Sequence, residues 1–308
     1  MPRIICPVCQ SSVVKFQGKY TFKSIYFQGM TRQKCNDCNL QFASPMPSNK
    51  LIENYNRSYH DNAHGGKKRD KKLQGFFTGV SRTRIEFIKK NFKKFNSKKK
   101  IRLLEIGPGP GAFASVWQDE FPLTEYHAIE TDKSCYKILK KLDIKINESG
   151  DLNNFECYFD LIVVSHVLEH VSSPIFFLKP LIKSLNNKGI IFIEVPCNDW
   201  KHKKIVEPHL LFFDKMPMQT LIDQLNLKAL KVAYYGKSIR KTKNIFLKLI
   251  ERVRNFIYFK INLKIYHPKR NQIKKIVKNK YEVEALLNYD AHQEQFEESL
   301  WLRVLLKK

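Results

Sequence analysis

The residues in this chain that could do chemistry fall into four short groups, each with telling spacing. Cys6-Pro-Val-Cys9 and Cys35-Asn-Asp-Cys38 form two C-x2-C knuckles 25 residues apart. Four thiolates in that pattern converge on one ion, and a tetrahedral site of this kind is closed to substrate. The segment Ile101–Gly111, IRLLEIGPGPG, sets Glu105 just ahead of Gly107, Gly109 and Gly111. Ser165-His166-Val167-Leu168-Glu169-His170 and Glu207-Pro208-His209 supply imidazoles that can take up or release protons near neutrality. The three remaining cysteines, Cys135, Cys157 and Cys197, stand alone and read as small core residues.

The glycine segment needs a strand before it and a helix after it. Ile101–Ile106 is an apolar, branched run, and Ala112–Trp117 has helical composition. A buried strand that breaks into a glycine turn lets backbone approach a nucleotide. The spacing here is E-x-G-x-G-x-G, and Pro108 and Pro110 have no N–H to give a phosphate. A ligand met through its sugar and a charged amino-acid tail fits such a loop better than a pyrophosphate does, which points to S-adenosylmethionine.

From residue 101 onward strands and helices alternate. The pattern predicts strands at Ile101–Ile106, Glu125–Glu130, Ile144–Ile146, Phe159–Ser165 and Gly189–Val195, with helices including Ser134–Leu142 and Phe176–Leu185. Leu227–Tyr235 and Ser299–Leu306 complete seven strands. The expected fold is α/β, a doubly wound, Rossmann-like sheet with ligands at the carboxyl ends of its strands. In that frame Glu130 ends the second strand and can accept both ribose hydroxyls. Asp151 follows the third and can face the adenine amino group, and Glu105 can hold water or the cationic α-amino end of methionine.

The formal charge is +26, unevenly spread. Residues 67–100 carry 14 Lys/Arg against 2 Asp/Glu and residues 201–280 carry 21 against 4, whereas residues 101–200 carry 9 against 14. The acidic core suits a sulfonium ligand, and the basic flanks would attract phosphates on nucleic acid, anionic lipid or a nucleotide-linked substrate. Between Tyr235 and Ser299 more than sixty residues replace a short hairpin, with apolar positions 246, 249, 250, 253, 257 and 261 at helical spacing. A basic amphipathic helix of that kind suits a lid over the core, an anionic membrane surface or nucleic acid. The expected domains are a zinc ribbon at 1–48, a helical basic linker at 49–100, and the catalytic α/β domain at 101–308 with a basic insertion at about 237–297. Neither a signal peptide nor an apolar stretch of membrane-spanning length is present. That predicts a cytoplasmic protein, with the inner face of the membrane as an alternative.

Taken together, these motifs resemble those of class I S-adenosylmethionine-dependent methyltransferases. They are similar, more narrowly, to the group with an N-terminal cysteine ribbon that modifies sugars of bacterial surface polysaccharides or related small molecules. The resemblance covers about residues 1–235. It rests on the CPVC and CNDC knuckles, FASPMPS with Tyr55 and Tyr59 beyond it, LLEIGPGPG, FDLIVVSHVLEHV, GIIFIEVPC and EPHLLFF. It implies that Ser165 and His166 lie beside the methionine end of the cofactor, and that His209 faces substrate as candidate general base. His170 is the second catalytic candidate, against a purely structural hydrogen-bonding role at the start of its helix. Expected cofactors are S-adenosylmethionine and a structural zinc at Cys6, Cys9, Cys35 and Cys38. The expected acceptor is a small molecule or glycan precursor, with RNA as the alternative.

Overall fold

The computed structural model describes residues 4–20, 26–59, 71–202, 208–239, 249–250, 253 and 282–308. Its centre is a mixed sheet in the order β11-β10-β12-β8-β7-β4-β5-β6. The strands are β4 (Ile101–Ile106), β5 (Thr124–Ile129), β6 (Lys145–Ile146), β7 (Phe159–Ser165), β8 (Leu185–Pro196), β10 (Lys228–Ser238), β11 (Glu294–Gln295) and β12 (Ser299–Lys307). β4 through β8 pair in parallel, and β12, β10 and β11 are added antiparallel. Among the described residues the sheet thus has eight strands where the sequence pattern predicted seven. The extra one is the two-residue β11, too short to leave a period-two signature.

β4 has β5 on one side and β7 on the other, and this reversal of strand order is the switch point where open α/β sheets bind ligands. The strands around it are apolar because helices cover both faces. Leu103, Leu104, Leu161, Ile162, Val163 and Val164 have no exposure. Covering elements include α2 (Lys71–Asn91), α3 (Ala112–Glu120), α4 (Tyr136–Lys141), α5 (Pro174–Ser184) and α6 (Lys215–Gln224). Asp214 caps α6 by accepting from Lys215 N at 2.7 Å. α2 falls in the stretch expected as a helical basic linker, and it is built into the α/β layer. Ile85, Phe87 and Ile88 are buried in the same core as Leu103 and Phe192, and α7 (Glu282–Asn288) docks across Gly79 of α2, where a Cβ would stand 2.7 Å from the Glu282 carbonyl.

A second sheet, β1-β2-β3-β9, joins the cysteine-bearing segment to the α/β layer. β1 (Val14–Lys19), β2 (Thr31–Cys35) and β3 (Gln41–Ser44) pair antiparallel in that order, and α1 (Asn49–Asn56) follows, capped by Ser48. β9 (Leu211–Phe212) comes from the distant EPHLLFF segment and pairs with β3. Cys6, Leu40 and Phe42 are therefore buried in one core with Leu104, Ile193 and Phe213. Cys135 and Cys197 are buried as expected, but Cys157 is exposed, at the tight positive-φ turn that leads into β7. Among the described residues no helix is long and apolar enough to cross a membrane. The helical stripe anticipated at 246–261 and the bulk of the basic insertion lie outside the described residues, apart from Leu249, Ile250 and Val253, which are exposed.

Candidate active site

At the carboxyl end of β4 the chain turns through Gly107 (φ +64°) and Gly109 (φ +53°), conformations that a side chain would strain. Gly107 N donates to Ile129 O at 2.9 Å, which ties the loop to the end of β5. A Cβ at 107 would come within 2.9 Å of Val167 Cγ2, so the bare backbone lets the β4 and β7 loops lie together. Gly109 N donates to Glu130 Oε2 and Asp132 N to Glu130 Oε1, both at 2.8 Å. Glu130 is buried, and burial raises its pKa. Each of its oxygens keeps a lone pair for a further donor, as two adjacent hydroxyls require.

Glu105 is also buried and accepts from Tyr126 OH at 2.5 Å. Burial pushes its carboxyl up to about 7, against the opposing pull of the Tyr126 hydroxyl and of Arg84. Gly111 closes the turn through its N–H to Pro108 O at 3.0 Å and leads into α3. Ser165 ends β7 with its Oγ buried and unmatched by any hydrogen-bond partner. An orphaned hydroxyl at the switch point is a group that a ligand can satisfy. Asp151 sits at the surface, where its Oδ1 accepts from Asn153 N at 2.9 Å and shapes its own loop.

The predicted histidines are drawn together, His170 and His209 buried and His166 partly exposed. His166 and His170 do not share an α-helical face, because His166 takes a positive φ (+55°) and only Leu168–His170 form a short 3-10 turn. The turn instead sets Glu169 between them. Glu169 Oε1 lies 3.4 Å from His166 Nδ1 and 3.8 Å from His170 Nε2. Burial works against a charge on Glu169, yet the surrounding imidazoles of His166, His170 and His209 hold its pKa below the ordinary carboxylate value. His209 is almost fully buried, and its Nδ1 lies 2.7 Å from Asp199 Oδ2. A carboxylate oxygen accepts, so Nδ1 donates to it and Asp199 fixes the orientation of the ring. His170 Nδ1 lies 3.3 Å from Pro208 O, which likewise turns its Nε2 inward, and the two imidazoles meet edge to face at 4.8 Å. Tyr59 packs edge-on against His170, and Tyr20 OH donates to His209 O at 2.9 Å. Glu207 lies outside the described residues.

Residues 80–233 match the family model described as a methyltransferase domain, half of the chain. The chain belongs to the methyltransferase-domain family. A ubiquinone biosynthesis O-methyltransferase of Rickettsia typhi is 28% identical over 126 residues, which are 39% of this chain and 51% of that protein. The chain thus spans about half the length of this curated relative. Among solved structures, the plantazolicin methyltransferase BpumL, in complex with a monoazolic desmethylPZN analog and SAH, superposes with a TM-score of 0.49 at 18% identity. That likeness covers 84% of this chain and 96% of that one. Coclaurine N-methyltransferase bound to N-methylheliamine and SAH gives 0.41 at 16% identity, over 73% and 70%.

Several residues of this methyltransferase site escaped sequence reasoning. Asp199 lies three residues beyond the β8 strand, and only its pairing with His209 gives it a role. Glu194 has no exposure and gathers Arg84 (2.8 and 2.6 Å), Arg303 (2.6 Å) and His166 (3.2 Å). Burial disfavours its charge, but the two guanidiniums and His166 hold its pKa well below normal. The signal available was a charged residue inside an apolar strand, IFIEVP, which must be paired when buried. In the N-terminal segment, the Cys6–Cys38 and Cys9–Cys35 sulfurs stand 3.5 and 3.4 Å apart. A tetrahedral zinc with sulfur at about 2.3 Å needs sulfurs roughly 3.8 Å apart, so the quartet could hold such an ion with a small relaxation.

Proposed function

We propose that this methyltransferase-family protein transfers a methyl group from S-adenosylmethionine to a small, oxygen-rich acceptor. The observation that carries the reading is the pairing of His209 with Asp199 across the switch point from the Gly107–Gly111 loop. One end of the cleft is built for a nucleoside and amino-acid tail, and the other for moving a proton. When bound, the cofactor supplies a sulfonium whose methyl carbon is open to in-line attack.

In this reading Glu130 accepts the two ribose hydroxyls, Glu105 meets the amino-acid end, and Ser165 Oγ donates to the bound tail. Asp151 borders the adenine side, and His166 stands at the mouth, held cationic between Glu169 and Glu194. His209 Nε2 takes the acceptor's proton as its oxygen or nitrogen attacks the methyl carbon. Asp199 stabilises the imidazolium that forms and fixes the ring, a role worth about 100- to 10,000-fold in comparable proton transfers. His170 packs on His209 and supports its orientation. A structural zinc at Cys6, Cys9, Cys35 and Cys38 would fasten the sheet whose β3 edge carries β9, and so position His209 from behind.

A sugar or glycan precursor is the acceptor class we favour, because the cysteine-bearing sheet packs on the loop that would face it. The membrane and nucleic-acid contacts suggested by basic composition would depend largely on residues 240–248 and 254–281, which lie outside the described residues. A screen with methyl-labelled cofactor against nucleotide-sugars, lipid-linked glycans, phenols and RNA tests the reading. Labelled product from a hydroxyl-bearing small molecule, abolished in His209→Ala with cofactor binding retained, is the expected outcome. Label in RNA alone would contradict it.

A further inference from the structure

We infer that Glu169, His170 and His209 form a binding site for a divalent cation at the acceptor end of the cleft, distinct from the cysteine quartet. Their ligand atoms all lie within 4.8 Å of one another, and all three residues are buried. Glu169 is 1% exposed, and neither carboxylate oxygen has a hydrogen-bond partner. A buried carboxylate in that condition costs several kcal/mol unless a cation satisfies it. His166 reaches Oε1 only at 3.4 Å, longer than a good charge-assisted bond.

The second observation is how the imidazoles are held. Each has its Nδ1 occupied by an outer acceptor, Asp199 Oδ2 for His209 and Pro208 O for His170. Metal-ligating histidines are oriented by such an outer hydrogen bond, which fixes the ring and its tautomer. Two histidine nitrogens and one carboxylate on one side of an ion suit a first-row divalent metal and leave adjacent positions open. Magnesium and calcium, which prefer oxygen-only sets, fit less well.

The inference rests on the cluster being the acceptor side of a methyltransferase cleft, and it narrows the substrate. Open adjacent positions favour an acceptor with two neighbouring oxygens, such as a diol or a hydroxyl beside a carbonyl, which could chelate the ion. A hydroxyl bound to such an ion would need no strong side-chain base to lose its proton.

Manganese(II) is the probe, because it is a poor competitor for four thiolates. Protein carrying one equivalent of zinc, bound by its cysteine quartet, is titrated with Mn2+ and the free-ion electron paramagnetic resonance signal is followed. One ion should be taken up per chain, and its pulsed spectrum should show coupling to histidine nitrogen. Uptake should weaken at least tenfold in Glu169→Gln and His170→Asn and be unchanged in Glu156→Gln, an exposed carboxylate elsewhere. No uptake by the wild-type protein, bound ion without nitrogen coupling, or equal uptake by a folded Glu169→Gln would each overturn the site. S-adenosylhomocysteine binding measured without Mn2+ tests the methyltransferase reading separately, so the two can fail independently.

Discussion

Glu105→Gln should remove a pH-dependent instability that the wild-type protein carries. Glu105 lies beneath the glycine loop with 4% exposure, and its ordinary value of 4.5 is pushed up to about 7, chiefly by burial. Because the folded-state pKa is raised, the neutral acid is the form that folding favours. Its stability is fully present below the unfolded value and is lost as pH rises through 7. Applied to these two values, linkage gives a loss of about 2.5 kcal/mol between pH 5 and pH 8. Glutamine keeps the shape and can still accept from Tyr126 OH, but it does not titrate. Urea unfolding of both proteins at pH 5, 6, 7 and 8 isolates the term, since every other titrating group is common to the pair. The mutant should gain on the wild type by about 2.5 kcal/mol across that range. A stability difference that stays flat with pH would show that Glu105 is ionised in the folded protein and that burial does not control it.

Other perturbations reach other links of the account. Arg303 has no exposure and bonds Glu194 Oε2 together with the Thr83 carbonyl and hydroxyl. Arg303→Leu should therefore cost about 3 kcal/mol in urea unfolding, and Arg303→Lys should rescue little because an ammonium cannot span both partners. Gly79→Ala should destabilise despite alanine's higher helix propensity, since its Cβ would press on the Glu282 carbonyl at 2.7 Å. A rise in melting temperature would refute the docking of α7 on α2. Asp199→Asn should lower turnover at least about 100-fold by disturbing the His209 tautomer, with S-adenosylhomocysteine affinity unchanged in calorimetry.

The glycine turn and its facing acid were legible because they are local in sequence. Strand, glycine turn and strand-end acid recur at short spacing, and β4, β5 and β7 appear where apolar runs place them. The histidine cluster was half legible. His166, His170 and His209 stood out by type, but the turn that puts Glu169 between them depends on a positive φ at His166, which composition does not encode. Asp199 and Glu194 were hidden because their roles come from partners 10 and more than 100 residues away in sequence. The pairing of β9 with β3 is likewise non-local. It turns a presumed separate ribbon into one wall of the His209 loop, and nothing in either two- to four-residue strand announces the other. α2 was read as basic linker because its lysines and arginines mask the helical spacing of Phe76, Val80, Ile85 and Ile88.

The most direct test of the central claim is equilibrium binding of S-adenosylhomocysteine to the purified protein by calorimetry, beside Glu130→Ala and Gly109→Val. The account predicts one molecule bound per chain, with affinity lost in both variants while their folds persist. An absence of binding to the wild-type protein, or binding that neither variant disturbs, would contradict it.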